Sequence, residues 1–363
     1  MADLLITGGR LIDPASGLDT PCELLIQDGR IAHIVDAGSA GCSTVPGLRK
    51  FIEESSTCRL LAFLHIASHG LASAGCAGLR DGGECDSLNQ LDVDQCVAAI
   101  RDNPDFLVGV KLRLSTSISD NGRNEQEAYR RALSAARASN VPLMVHHGLS
   151  SVPTVTCSGV LSCPGDLLAG DIYTHAFHGH DGGIVDKSTG CVLPDVWEAK
   201  RRGVLFDIGH GAGSFSWATA EACSREGFWP DIISTDLHTE SMDGPAYDLP
   251  TVMTKLLHVG MPLRDVIAAV TSKPAAAIRR SDVLGSLQVG READITILRL
   301  EDCDLELEDS FGETRRIQKR IVPVRVFRAG KEFPITDHSP WPNPASKERC
   351  LKKVQQYESY IQK

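Results

Sequence analysis

The chain has 363 residues, which is enough for one large domain and a small accessory domain. Hydrophobic residues make up 42% and charged residues 23% of it, close to the averages for globular proteins, so a mainly disordered or fibrous protein is excluded. The formal net charge is −10, with no basic cluster outside the C-terminal end. This acidic balance argues against a nucleic-acid or anionic-membrane partner and favours small-molecule ligands.

The longest apolar stretches, such as residues 60–66, are far shorter than the roughly 18 residues that a membrane span needs. The first residues show no basic region followed by a long apolar one, so we expect no signal peptide and a cytoplasmic protein. The 12 cysteines are scattered and form no CxxC pair. This pattern predicts reduced, mostly buried thiols rather than a zinc ribbon or a thioredoxin motif.

Short strands are predicted near both ends of the chain. Apolar or alternating stretches bounded by glycine, proline or Asp-Gly turns occur early, at residues 4–7, 10–12 and 23–27. Alternating stretches occur late, at residues 293–300, 303–308 and 322–327, with a hairpin turn predicted at 329–331. We therefore predict a small β-sandwich composed of residues 1–33 and 284–335.

Strands alternate with helices between these blocks. The predicted strands are residues 59–66, 106–112, 141–145, 171–174, 204–208 and 231–235. The predicted helices are 92–100, 124–138, 197–202 and 263–270, with another beginning at Ser272. This alternation is typical of a parallel sheet, and we predict an α/β fold with a β/α barrel over residues 34–283. Residues 336–363 are predicted to be a C-terminal tail or packing arm with a helical stretch.

Four of the predicted strands end at a residue that can bind or serve a metal: Lys111, His146, His175 and Asp236. They are separated by 35 residues (111 to 146), 29 (146 to 175) and 61 (175 to 236). These steps correspond to one, one and two βα units of about 30 residues each. Because the C-terminal ends of barrel strands carry the catalytic groups, this spacing favours a metallohydrolase.

Each of these residues also has a structural interpretation. His175 suits a zinc ligand at a strand end, and only one of His146 and His147 can face the barrel mouth, yet either could be a hydrogen-bonded loop histidine. Lys111 ends an apolar strand, where a desolvated amine can form a carbamate with carbon dioxide, although its side chain could instead extend to solvent. Asp236 can contact a metal and shuttle a proton, or cap a turn.

Several motifs, in this order, resemble the amidohydrolase superfamily: Ile-Thr-Gly-Gly-Arg-Leu-Ile-Asp-Pro, Val-Gly-Val-Lys, Met-Val-His, Tyr-Thr-His, Ser-Thr-Asp and Gly-Ser-Leu-Gln-Val-Gly-Arg-Glu-Ala-Asp-Ile. More narrowly, Val-Asp-Ala-Gly-Ser-Ala-Gly, Phe-His-Gly and Phe-Asp-Ile-Gly-His-Gly resemble the acetyl-mandelate-deacetylase-like branch near the dihydroorotases. The resemblance extends from residue 4 to about residue 335. It implies a TIM-like (β/α)8 metallohydrolase barrel with a small β-sandwich.

The resemblance also implies roles for individual residues. Lys111 matches the carbamylated lysine that bridges two metal ions, and His146 and His175 match the two histidines of the second metal position. Asp236 matches the catalytic aspartate, which also contacts the metal, and His210 lies where a substrate-contacting group is expected.

One part of the family pattern is missing. The family places an HxH pair at the end of the first barrel strand, but here residues 29–34 run directly into residues 35–38, which resemble the end of the second strand. About 50 residues, or one to two βα units, are absent by this comparison. We therefore expect an incomplete barrel without its first strand, and one Zn²⁺ held by Lys111, His146 and His175 instead of the two of the intact family. Arg113, two residues beyond Lys111 on the same strand face, could pair with a substrate carboxylate.

The expected function is metal-dependent hydrolysis of acyl bonds, either C–N amides or acetyl esters, in a small-molecule substrate, with activity lowered or abolished by the missing pair. Three alternatives stay open: a non-catalytic scaffold with the amidohydrolase fold, a dihydroorotase-like hydrolase of cyclic amides, and a gene-model or splice artefact at the missing segment. The oligomeric state, including a homo-oligomer, is also left open.

Overall fold

The protein is described by a computed structural model that covers residues 4–6, 10–13, 18–21, 23–27, 30–35, 40–73, 82–335 and 341–361. The chain divides into two compact units, residues 1–144 and residues 145–363. Within the described ranges, no helix is long and apolar enough to cross a membrane.

Unit 1 begins with five short strands. These are β1 (Leu4–Ile6), β2 (Arg10–Asp13), β3 (Leu18–Pro21), β4 (Glu23–Gln27) and β5 (Arg30–Val35). Strand β4 pairs antiparallel with both β1 and β5, and β2 pairs with β3 in a separate ribbon. The strands predicted at residues 4–7, 10–12 and 23–27 are confirmed.

The rest of unit 1 alternates helices with parallel strands. In chain order these are α1 (Val45–Leu48), which continues as a wider helical turn (Arg49–Glu53), then β6 (Ala62–His65), α2 (Val93–Asp102), β7 (Leu107–Leu114) and α3 (Glu125–Ser139). Helix α2 begins where Asp92 accepts a hydrogen bond from the Gln95 amide, and α3 ends where Asn140 adopts a left-handed conformation with φ 51°. The apolar side chains of β7 are fully buried at Val110, Leu112 and Leu114.

Unit 2 continues the alternation. The boundary between the units lies within β8 (Leu143–His147). The elements that follow are β9 (Ile172–Thr174), β10 (Val185–Asp186), β11 (Cys191–Val192), α4 (Pro194–Arg202), β12 (Leu205–Phe206), α5 (Trp217–Glu226), α6 (Leu249–His258), α7 (Leu263–Val270) and α8 (Ser272–Ala277). The sequence patterns predicted α7 at its observed bounds but missed α5 and α6.

The parallel strands form one sheet in the order β12-β9-β8-β7-β6. Isolated parallel bridges extend it at both edges, from Gly41 to His65 and from Asp207 to Ile232. The strand predicted at residues 231–235 is therefore reduced to a single bridge. Within the part of the chain that the structure describes, the sheet is not closed. This agrees with the expected α/β fold and with an incomplete barrel.

The C-terminal strands form a long antiparallel sheet. They are β13 (Ile295–Glu308), β14 (Thr314–Arg328) and β15 (Lys331–Phe333), in that order. The stretches predicted at 293–300 and 303–308 are one continuous strand, with an irregularity in register between Asp302 and Leu305. The hairpin turn at Ala329 and Gly330 is confirmed, with φ of 49° and 79°. Helix α9 (Pro344–Ile361) follows. The predicted composite sandwich and its domain boundaries stay a prediction.

Candidate active site

The adjacent histidines of β8 have different environments. His147 is buried; its Nε2 hydrogen-bonds the Val152 carbonyl at 2.9 Å, and its Nδ1 lies 3.1 Å from the Tyr173 hydroxyl. Burial lowers the pKa of His147 to about 4, so the ring is neutral, and its two hydrogen bonds give it a structural role. The His146 ring instead lies beside that of His175, with 4.0 Å between ring centroids. Strand alternation therefore gives the two neighbours separate roles.

His175 follows β9 directly and is held in one orientation. Its φ is 63°, its side chain is buried, and its Nδ1–H donates to the Gly209 carbonyl at 2.6 Å. Because Nδ1 carries the proton, the lone pair of the neutral ring lies on Nε2. Histidines that bind metals commonly donate their other nitrogen to a carbonyl in this way. The structure thus brings together two of the predicted ligands, His146 and His175.

Asp236 lies on the other side of the Gly209-His210-Gly211 segment. The Gly211 amide donates to the Thr235 carbonyl at 2.8 Å, and a Cβ added at Gly211 would lie only 2.6 Å from Asp236 Oδ2. Asp236 has φ 44°, and about half of its side chain is exposed. The main chain at Asp236 is therefore fixed, while its carboxylate is open to water and small molecules.

His210, predicted to contact substrate, is fully buried. Its Nδ1–H donates to the Gly211 carbonyl at 2.9 Å, and its Nε2 lies 2.9 Å from Lys255 Nζ. Its ring stacks on Phe215, with 4.7 Å between centroids. A direct bond to substrate would have to replace one of these contacts, so the predicted role stays a prediction.

Unit 1 contains Lys111 and Arg113 on β7. Lys111 pairs in parallel register with His65 at the end of β6. Arg113 binds both oxygens of Glu84: Nε donates to Oε1, and Nη2 donates to Oε2 at 2.8 Å. Glu84 is completely buried; burial raises the pKa of its carboxyl, but the Arg113 hydrogen bond and charge outweigh this and hold the pKa below its ordinary value. The proposed carboxylate-binding role of Arg113 stays a prediction.

His65 and Glu84 were missed by the sequence interpretation. His65 is buried; its Nδ1 accepts a hydrogen bond from the Ala67 amide at 3.0 Å, and its Nε2 lies 3.7 Å from Glu84 Oε1. Burial lowers the pKa of His65 to about 4; the Glu84 carboxylate opposes this shift, and the positive charge of Arg113 adds a smaller lowering. A signal was available for His65 alone, since it lies one residue before the end of the predicted strand at 59–66 and is the last residue of the observed β6.

A divalent metal is compatible with part of this arrangement. The adjacent imidazoles of His146 and His175 are the donors that zinc prefers, and the His175 tautomer presents Nε2. No group of three or more His, Cys, Asp or Glu side chains within the described residues is placed to hold a metal. The sequence predicts Lys111, in carbamylated form, as a further ligand, and this stays a prediction.

Comparison with known proteins identifies the family. Residues 214–332 match the sequence model described as "Amidohydrolase family". Deacetylase Atu3266 of Agrobacterium fabrum is 37% identical over 307 residues, covering 83% of this chain and 70% of the relative. The chain belongs to the amidohydrolase family. A deacetylase of Enterococcus faecalis is 32% identical over 321 residues, covering 87% of this chain and 81% of the relative.

Two solved structures share the fold of this amidohydrolase. A crystal structure of an adenine deaminase superimposes with a TM-score of 0.72 at 31% identity, covering 82% of this chain and 76% of that one. A dihydroorotase superimposes with a TM-score of 0.71 at 33% identity, covering 83% and 77%. The predicted family and fold class are confirmed, while the missing HxH pair stays a prediction.

Proposed function

We propose that this amidohydrolase is a metal-dependent deacylase that hydrolyses amide or acetyl-ester bonds of small molecules. The observation that carries the proposal is the placement of His146 beside His175, with Gly209-His210-Gly211 linking His175 to Asp236. Relatives named deacetylases, 32% and 37% identical over most of the chain, support it.

The proposed cofactor is one zinc ion. His146 and His175 would supply imidazole nitrogens, and carbamylated Lys111 would complete the set. When bound, the metal polarises the acyl carbonyl and lowers the pKa of water. The protein's own part is to fix the His175 tautomer through Gly209 and to keep water and substrate in reach of Asp236.

Asp236 is the proposed general base and acid. Its carboxylate takes a proton from the attacking water and delivers it to the leaving nitrogen or oxygen, so that acyl compound and water become a carboxylic acid and an amine or alcohol. The left-handed backbone at Asp236 and the hydrogen bond from the Gly211 amide to the Thr235 carbonyl fix the main-chain position from which this carboxylate extends. Half exposure of the side chain leaves room for substrate.

We propose the cytoplasm as the compartment. All ten cysteines that the structure describes are free thiols, which suits a reducing environment.

The test measures acetate release by the purified chain with added zinc, on N-acetyl amino acids and O-acetyl hydroxy acids. We expect turnover that falls at least 100-fold in Asp236→Asn, because the proton shuttle is lost. Asp243→Asn, at an exposed aspartate of the same loop, is the matched control and should keep wild-type activity. Equal activity of Asp236→Asn and wild type would overturn the assignment.

A second candidate is hydrolysis of a cyclic amide, which the resemblance to a dihydroorotase structure favours. Ring opening of dihydroorotate by the same sample, followed by absorbance, separates the two activities. A sample that binds no zinc and hydrolyses neither class would instead support a non-catalytic scaffold.

A further inference from the structure

Lys255 of α6 is completely buried, which is rare for a lysine. Its Nζ lies 2.9 Å from His210 Nε2, 2.8 Å from the Pro245 carbonyl and 2.5 Å from the Glu308 carbonyl. An ammonium has three hydrogens, and these three acceptors use all of them. The side chain is therefore fixed inside unit 2 rather than extended to solvent.

The contact to His210 sets the proton positions on that ring. His210 Nδ1 donates to the Gly211 carbonyl, so Nε2 is the acceptor for the lysine. Phe215 stacks on the ring face at an interplanar angle of 14°. The lysine thus anchors the ring at its edge, while Phe215 prevents it from tilting.

The two glycines that flank His210 lie beside two residues of the candidate site, His175 and Asp236. Gly209, with φ 47°, accepts the Nδ1–H of His175, and Gly211, with φ 50°, donates its amide to the carbonyl of Thr235, the residue before Asp236. Added methyl groups at these glycines would lie 2.7 Å from His175 Nδ1 and 2.6 Å from Asp236 Oδ2. A displacement of the segment by a fraction of an ångström would therefore move both side chains.

We propose that Lys255 is a positioning residue: by holding His210, it fixes the Gly209-His210-Gly211 segment and, through it, the His175 imidazole and the Asp236 carboxylate. The importance of these two groups rests on the proposed function, whereas the mechanical linkage does not. A purely structural lysine that only joins Pro245 to Glu308 would leave His175 unaffected.

The experiment follows the His175 Nδ1 proton by ¹⁵N-edited NMR in the metal-free full chain. In the wild type this proton should exchange slowly with water, because it is buried and bonded to Gly209. In Lys255→Met we expect exchange at least 10-fold faster. Lys319→Met removes an exposed lysine of β14 and should leave the signal unchanged. An unchanged His175 signal in Lys255→Met would overturn the proposal.

If Lys255→Met does not fold, His210→Phe serves the same purpose, because phenylalanine can stack on Phe215 but cannot accept the lysine hydrogen bond. Kinetics on the acetylated substrates add a second readout: kcat should fall at least 10-fold while KM stays within about threefold. Faster His175 exchange in a chain without hydrolytic activity would reject the proposed function but uphold the positioning role. Hydrolysis by the wild type, together with unchanged His175 exchange in the variant, would support the proposed function but reject the positioning role.

Discussion

At the scale of single residues, Gly211 offers a sharp test of the site. Its φ of 50° disfavours any side chain, and a Cβ would lie 2.6 Å from Asp236 Oδ2. We expect Gly211→Ala to lower kcat/KM for acetylated substrates by about 100-fold, which corresponds to about 2.7 kcal/mol of transition-state stabilisation. Gly213→Ala is the control, since a Cβ there meets no atom within 4 Å. Equal loss in both variants would show that the effect does not pass through Asp236.

Glu84 and Arg113 allow a stability test within unit 1. Glu84 is completely buried and bonded twice by Arg113, so Glu84→Gln removes a buried negative charge that pairs with a mostly buried guanidinium. We expect a loss of about 3 kcal/mol in the free energy of unfolding. Asp304→Asn, which breaks the exposed pair with Arg316, should leave the free energy of unfolding almost unchanged, because water screens that pair. Urea denaturation of the full chain measures both, and similar losses would contradict the role of burial.

Some of the site residues were predictable from the sequence, and others were not. His146 and His175 stand at the ends of short apolar runs, a local pattern that the structure confirms as adjacent strand ends. Glu84 and Lys255 carry no such pattern. Their burial is caused by partners 29 and 45 residues away along the chain, Arg113 and His210. Contacts at that separation depend on tertiary packing, which hydrophobic periodicity does not encode.

At the scale of elements, the C-terminal arm (residues 341–355) supports the loop that follows Asp236. The Asn343 amide donates to the Tyr247 hydroxyl at 2.8 Å, Arg349 donates to the Asp243 carbonyl at 2.8 Å, and Lys353 pairs with Glu240. The sequence was compatible with either a tail or a packing arm for this segment, and these contacts favour the packing arm.

Removal of residues 341–363 should therefore loosen the loop. We expect the amides of residues 237–248 to exchange hydrogen at least 10-fold faster in the truncated chain, because their neighbours are lost. Amides of α3, in unit 1, are the internal control and should keep their protection. Hydrogen exchange followed by mass spectrometry resolves both segments. Unchanged exchange in the loop would show that the arm contributes nothing to its order.

Helices and strands were most predictable where the hydrophobic periodicity agrees with the residues that mark the ends of an element. Helix α7 was predicted at its observed bounds, and α3 within one residue of each end. Helix α5 begins at a Ser216 cap but has a weak apolar stripe, and it was missed. The apolar run at 231–235 forms only one isolated bridge, although its carbonyls at Ile232, Ser234 and Thr235 accept hydrogen bonds from amides of residues 208–211.

At the scale of the whole molecule, the fold class followed from the order of strands and helices, since such alternation has few solutions. The completeness of the barrel could not be derived in this way. Closure depends on hydrogen bonds between strands far apart in the chain, and a local pattern cannot show whether a partner strand exists. The five-stranded sheet with a bridge at each edge agrees with the expectation from motif order.

Because several histidines are buried, we predict that acid destabilises the protein already at pH values well above the pKa of its carboxylates. The pKa of His65 and of His147 is about 4 in the folded chain, against an ordinary value of 6.5, because burial disfavours the charged ring. Burial also holds the pKa of His178 and of His210 well below the ordinary value. Between pH 6.5 and 4 the unfolded chain binds more protons, so stability present above pH 6.5 is lost as the pH falls.

At pH 5 the loss should be about 2 kcal/mol for each of His65 and His147, since this pH is about 1.5 units below the unfolded pKa and still above the folded one. Urea denaturation at pH 7 and pH 5 measures it. His147→Phe should be less stable at pH 7, because it loses two hydrogen bonds, but should lose about 2 kcal/mol less than the wild type on acidification. His69→Gln, at an exposed position, should lose as much as the wild type. An equal pH dependence in His147→Phe and the wild type would mean that folding does not lower the pKa of His147.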